Sequence, residues 1–312
     1  MSPLTRRELL GRTAGLAALA CLAACADPGS PPDRSGVHPA LRTPRPAGAI
    51  AFLGATPAAR EALLAARAPD VMVGLGATLA PEAGRMPDFP GEVLLPERTH
   101  PDAFVQVEGD DQAECSRRLD DVLATLPGLA VRWRTPVRRD VVDAAGRKPL
   151  QRNPFGFVEG QTNTADAILL PSGASLVAVR VIRMAHQLWD ADPPETQRRV
   201  LGRHPDGTWL DGTPPLGTPD FGADPDGATT PLDSHVRTMN PRTPGTPAPR
   251  MLRRSWIYEG TPAGAVRDDG VVFMAFQNDF TTGFALAQQR LTADALHPYL
   301  LTVGGGYFVV PA

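Results

Sequence analysis

The chain has 312 residues, 42% of them hydrophobic, which is enough apolar material for one large core or two modest ones. A formal net charge of −3, with Lys and Arg spread along the chain, provides no basic surface of the kind nucleic acid requires and excludes that class of partner. The 34 prolines, many in short clusters, imply long ordered loops between elements.

Residues 1–25 read as an export signal. Arg6 and Arg7, followed by Leu9 and Leu10, precede an apolar stretch from Thr13 to Ala24 that is too short to span a membrane. The paired arginines resemble a twin-arginine signal, a route that carries folded proteins, and so name that export machinery as a partner. Leu22-Ala23-Ala24-Cys25 resembles a lipobox, which would place a lipid anchor on Cys25. The expected location is therefore outside the cytoplasm, periplasmic or extracellular, with or without the anchor. Residues 26–47 are rich in Pro, Gly and polar side chains and read as a tether.

Two structured regions are expected, 48–150 and 151–312. In the first, 48–54, 70–76, 103–109 and 129–137 read as strands, with helices over 57–67 and 111–126. That order, β-α-β then β-α-β, is that of a ferredoxin-like α+β unit. Cys115 falls on the apolar face of the second helix with Leu119, Val122, Leu123 and Leu126, and reads as a buried small residue. The second region repeats the mixture: strands over 174–184, 271–277 and 305–311, helices over 193–203 and 281–291. The fold class expected is α+β, two ferredoxin-like units enclosing a pocket. Between Gly207 and Pro249 runs a stretch dense in Gly, Pro, Asp and Thr, long enough to suggest a functional loop.

Three segments place titratable residues among turn-formers: Asn153 to Asn163 (NPFGFVEGQTN), Asp233 to Arg242 (DSHVRTMNPR) and Arg250 to Trp256 (RMLRRSW). No HExxH, paired CxxC, GxSxG or Gly-Lys-Ser/Thr loop occurs, which removes the common zinc, serine-hydrolase and nucleotide readings. His38, His100, His186, His204 and His297 show no ligand spacing to one another and read as structural or surface residues.

Together the three segments resemble the haem-pocket signature of dye-decolorizing peroxidases. The match runs through GxxxG at Gly156 and Gly160, HxRxxNPR from His235 to Arg242, and LRR at Leu252, Arg253 and Arg254. Further stretches at 176–190, leading to Gly202 and Arg203, and at 283–291 and 304–310 resemble the family too. The family's distal aspartate is replaced by Glu159. Some relatives carry a C-terminal extension that docks them inside a protein shell; the sequence stops at Ala312 without one.

The resemblance implies haem b as cofactor, His235 as the iron ligand, and Arg242, Arg253, Gly156 and Gly160 around the haem. It implies Glu159 and Arg253 as catalytic residues. In those roles Arg253 would stabilise charge on the departing peroxide oxygen, and Glu159 would move the peroxide proton. An acidic partner for the His235 imidazole is expected, because metal-bound histidines usually donate their second N–H to a carboxylate, and Asp294 is the candidate. Asp in place of Glu159 is expected to work as fast or faster. The implied activity is a peroxidase, with hydrogen peroxide and small aromatic reductants such as dyes or phenols as partners. The rival reading is a haem-handling protein that releases iron from haem, like a deferrochelatase; a third is a haem-binding module without activity. Assembly into a homo-oligomer is left open by the sequence.

Overall fold

The computed structural model describes residues 38–126, 128–142, 150–159, 168–260 and 267–312. The signal, Cys25, much of the tether and Gly160 lie outside them. The first half runs β1 (Ala47–Gly54), α1 (Arg60–Ala65), β2 (Val71–Leu75), β3 (Ala103–Gly109), α2 (Gln112–Ala124) and β4 (Ala130–Arg138). Its antiparallel strands lie in the order β4-β1-β3-β2, the ferredoxin-like arrangement. Short strands β5 (Asp140–Val142), β6 (Leu150–Arg152) and β7 (Val158–Glu159) form a separate three-stranded sheet beside it.

The second half runs β8 (Ser175–Met184), α3 (His186–Ala191), α4 (Pro194–Leu201), α5 (His235–Met239), β9 (Leu252–Arg253), β10 (Trp256–Glu259), β11 (Asp269–Gln277), α6 (Leu286–Leu291) and β12 (Leu300–Val310). One turn of π-helix over Thr281–Ala285 leads into α6, so the helix expected over 281–291 is present with its first turn widened. Strands β9 and β10 pair with the same edge of β11 in a single register, Arg253 opposite Ala275 and Trp256 opposite Val272. They act as one interrupted strand, and the order β12-β8-β11-β10 repeats the ferredoxin-like arrangement.

The two halves share one sheet. Val309 of β12 pairs with Leu75 of β2, and Ile257 and Tyr258 of β10 pair with Arg138 and Val137 of β4, so the sheet closes on itself. Closure leaves both faces of the strands covered, which is why β1 reads as a continuous apolar run. Ile50 and Phe52 point into a core shared with Phe104, Val179, Met274 and Phe308 from both halves. Ala49, Ala51 and Leu53 point the other way, against α1 and α2. Helix α2 begins where Asp111 accepts from the N–H of Glu114 at 2.7 Å, and its i, i+4, i+7 face of Cys115, Leu119 and Val122 is buried as expected. Burial pushes the Cys115 thiol up to about 11, as suits a packing residue rather than a nucleophile.

Candidate active site

A cavity of ≈ 340 Å³ lies on the side of β8 and β11 that faces away from the shared core. Arg180, Ile182 and Met184 of β8 line it, while the alternating Val177, Val179 and Val181 fill the core. Strand β7, helices α5 and α6, and the segments flanking β9 supply the other walls.

One wall carries His235, the first residue of α5. A five-residue helix has too few bonds to hold itself, so tertiary contacts must place it. Helix α4 ends at Gly202 in the left-handed conformation, φ 77°, and a Cβ there would lie 2.4 Å from Val236 Cγ2. Glycine thus lets α5 pack against the end of α4. Buried Arg237 donates to the carbonyls of Thr230 and Asp224 at 2.8 and 2.6 Å and to the Asp224 carboxylate at 3.1 Å, tying α5 to the preceding loop.

The His235 Nδ1 lies 2.7 Å from Asp294 Oδ2, and the Asp294 side chain is fully buried. The second Asp294 oxygen accepts from the Leu296 N–H at 2.8 Å. With the carboxylate as acceptor, Nδ1 carries the hydrogen and Nε2 keeps a lone pair. Asp294 is therefore where the sequence reading expected an acidic partner.

The distal assembly is built from Glu159 at the end of β7 and Arg253 at the end of β9. Arg253 Nη1 lies 3.1 Å from Glu159 Oε2, and the side chains are 30% and 31% exposed respectively. Asn153 Nδ2 donates to Glu159 Oε1 at 2.9 Å. Burial alone would push the Glu159 carboxyl up; the Arg253 guanidinium and the Asn153 amide, with His235 and Arg203 adding to them, hold it below the usual carboxylate range. The turn leading to Glu159 is pinned by Phe155, stacked on Trp189 at 4.2 Å, and by Phe157, in a cluster with Leu201 and Tyr299.

Gly156 does not line the cavity. It sits at φ 86° in that turn, its N–H donating to the Asn153 carbonyl at 2.9 Å, so its part is to bend the chain rather than to admit a ligand. Arg254, the second arginine of the LRR segment, turns away and donates to the carbonyls of Ala40 and Leu41 at 3.2 and 2.7 Å. His297, read from the sequence as structural or surface, lines the cavity.

Arg242 also lines the cavity, as do Arg203, which the sequence placed at the end of a family-like stretch without a role, and Trp209, which no sequence motif singled out. The Arg203 guanidinium lies 3.5 Å over the Trp209 ring and Arg242 5.2 Å from the same ring. Arg203 donates to the Gly207 carbonyl at 2.7 Å, and neither arginine has a carboxylate within salt-bridge distance among the described residues. Burial brings Arg203 down to about 10, which still leaves it a cation at neutral pH.

Arg242 Nε, Trp209 Nε1 and Gln151 Nε2 are buried donors without an acceptor among the described residues, and all three residues line the cavity. Each such group costs ~1–3 kcal/mol unless a ligand supplies the acceptor. Among the described residues no three His, Cys, Asp or Glu side chains converge on a metal position. An imidazole with a free Nε2, an apolar cavity, and an edge that carries two arginines and unsatisfied donors together fit a haem with its carboxylates.

Residues 151–312 match the family profile described as Dyp-type peroxidase, C-terminal. The deferrochelatase of Shigella sonnei is 32% identical over 260 residues, which cover 77% of this chain and 62% of that protein. The chain thus spans less than two thirds of the length of that relative. The DyP-type peroxidase of Streptomyces coelicolor is 25% identical with a TM-score of 0.73, over 89% of this chain and 91% of that one. An oxyferrous complex of DtpA from Streptomyces lividans is 26% identical with a TM-score of 0.74, over the same shares.

Proposed function

The chain belongs to the Dyp-type peroxidase family, and from that premise we propose that it is a haem-dependent peroxidase reducing hydrogen peroxide at the expense of dyes, phenols or similar donors. The observation that carries the reading is the pairing, on one cavity, of a carboxylate-backed imidazole with an arginine–carboxylate couple. In this reading His235 Nε2 is the iron ligand, and Asp294 fixes its ring and raises its basicity through Nδ1. Arg203, Arg242, Trp209 Nε1 and Gln151 receive the carboxylate edge of the cofactor.

Haem held by His235 would supply a redox centre, iron and macrocycle together, able to store the two oxidising equivalents of peroxide for donors that give one electron each. The chain's own work is to move a proton and hold a charge. Glu159, kept ionised, takes the proton from one peroxide oxygen and returns it to the other, as base and then acid. Arg253 stays cationic and faces the negative charge that develops on the departing oxygen.

The rival, release of iron from haem, is supported by the deferrochelatase name of relatives 32% identical to this chain. Both readings use one pocket and separate on product. Purified protein should show a strong haem absorption band that peroxide changes rapidly and an added phenol restores. Accumulation of fluorescent metal-free porphyrin, with no peroxide-driven oxidation of the phenol, would favour the rival. We further propose export by the twin-arginine route, supported by Arg6, Arg7 and the apolar stretch after them, with Cys25 as the candidate lipid attachment point.

A further inference from the structure

Asn153 opens the turn that presents Glu159, and its side chain is used at both ends. Its Oδ1 accepts from the N–H groups of Phe155 and Phe157 at 3.1 and 3.0 Å. The backbone closes the same turn, with the Asn153 N–H donating to the Phe157 carbonyl at 2.8 Å. Because the oxygen end is committed to two donors, the amide's orientation is settled by the network, and the other end is NH₂. That NH₂ meets Glu159 Oε1 at 2.9 Å, while Arg253 engages Oε2 at 3.1 Å. Each carboxylate oxygen therefore has its own donor, and two donors on a planar group fix its rotation where one would not.

From this arrangement we propose that Asn153 is a positioning residue for the peroxide reaction, locking the Glu159 carboxylate in one orientation as a proton acceptor. The inference rests on the reading of Glu159 as the group that takes the peroxide proton. The charged or titratable groups acting on that carboxylate come from three elements: the cations Arg253 at the end of β9 and Arg203 just after α4, and the His235 imidazole on α5. Asn153 is the uncharged donor among them, and the one attached to Glu159's own turn. A hydrogen bond to the charged form favours that form, so Asn153 works in the same direction as the arginines.

A turn residue and a positioning residue make different demands on position 153. Asn153→Asp keeps an oxygen for the Phe155 and Phe157 amides but turns an oxygen, not an NH₂, towards Glu159. Infrared titration of the haem-loaded full chain with ¹³C-labelled glutamate reads the result, the Glu159 band being identified by its loss in Glu159→Gln. In Asn153→Asp the Glu159 carboxylate should protonate about one pH unit higher, a tenfold gain in proton affinity, because a like charge now faces it. The acid limb of the peroxide reaction should move up with it, while the melting temperature changes little.

Asn153→Ala, which frees the carboxylate to rotate, should slow the peroxide reaction about tenfold at neutral pH. If Asn153→Asp leaves both the Glu159 titration and the acid limb where the parent has them, Asn153 is only a turn residue and the proposal is wrong. Should that variant not fold, Asn153→Ser decides: its hydroxyl can serve the turn amides but is too short for Glu159, and an unchanged titration there overturns the proposal equally. A parent protein that binds haem but does not react with peroxide would instead sink the peroxidase reading, while the infrared titration would still report on Asn153.

Discussion

The two sides of the cavity are built by different means. On the proximal side, Asp294 is fully buried, holds His235 with one oxygen and a backbone N–H with the other, and α5 is tied down by Arg237 and by the contact with Gly202. On the distal side, Glu159 and Arg253 are each about a third exposed and brace one another across 3.1 Å. A pair exposed to that degree is worth ~1 kcal/mol or less, so an arriving ligand can compete with it. Breaking a buried pair costs ~3–5 kcal/mol. The proximal geometry is thus fixed by the fold before any ligand binds, while the distal geometry is a contact poised to exchange partners.

The sharpest way to break that contrast is to remove the proximal imidazole. His235→Ala should lose tight haem binding altogether while the apo fold survives, since the shared core does not depend on the ring. A variant purified with normal haem content and an unchanged absorption spectrum would overturn His235 as ligand. Next in size is Arg253→Leu, which should slow the reaction with peroxide by ~10²–10³-fold, the range for loss of one charge-stabilising donor. Stopped-flow mixing with peroxide measures it, and Glu159→Gln should show the smaller defect of the two. The reverse order would transfer the dominant role to the carboxylate.

Asp294→Asn should cost ~10–100-fold in haem retention or rate without disturbing the distal pair, because the ring keeps its place but loses an anionic partner. Competition with an apo haem-binding protein measures the retention. An unchanged rate of haem transfer and of peroxide reaction would mean that burial of Asp294 is a packing feature only.

The distal carboxylate sets a pH dependence of its own. The Glu159 carboxyl is held below its unfolded value of ~4.3, so it is ionised at and above that pH. The peroxide reaction should stay flat down to about pH 4–5 and fall only as the pH drops through the lower, folded value. The same ionisation favours the fold above ~4.3 and ceases to do so as the pH falls through that folded value. In Arg253→Leu the strongest influence lowering the carboxyl is gone, and the acid limb should move up.

Much of this architecture was legible from residue order. Strands β1, β3, β4 and β8 and helix α2 carry strong apolar periods or caps, and each lies within a residue or two of its expected position. Closure of the sheet was not legible, because its seams rest on few pairs: Val309 with Leu75, and two residues of the four-residue β10 with β4. Strands β5 to β7 are two or three residues long and leave no period to read. In the site, His235, Arg253, Glu159 and Asp294 were reachable because each sits in a motif or has a chemical partner to look for. Arg203 was visible only as the end of a family-like stretch, with no role attached, and Trp209 was hidden, since stacking across a tight turn leaves no spacing signature. Asn153 was hidden for another reason: before Pro-Phe-Gly an asparagine already has a sufficient explanation as a turn-former.

The smallest effect tests how rigid the distal side is. By residue type alone, Glu159→Asp should react as fast as the parent or faster, since it keeps the carboxylate. The geometry argues the other way. Glu159 reaches two donors at once, Asn153 Nδ2 at 2.9 Å and Arg253 Nη1 at 3.1 Å, from a backbone held by Phe155 on Trp189 and by the Asn153 network. Removing one methylene withdraws the carboxylate by about one carbon–carbon bond, ~1.5 Å, which takes both contacts beyond hydrogen-bond range unless the turn moves. A turn anchored by two aromatic side chains and three hydrogen bonds resists that shift. Glu159→Asp should therefore be slower than the parent by several-fold, ~3–10, still faster than Glu159→Gln because a nearby base survives. Its acid limb should lie higher, since the two strongest influences that hold the carboxyl down, Arg253 and Asn153, have been left behind. Stopped-flow rates across pH would decide it. A Glu159→Asp protein as fast as the parent, with the same acid limb, would mean that the turn follows the shorter side chain and that the distal side is adaptable instead of braced.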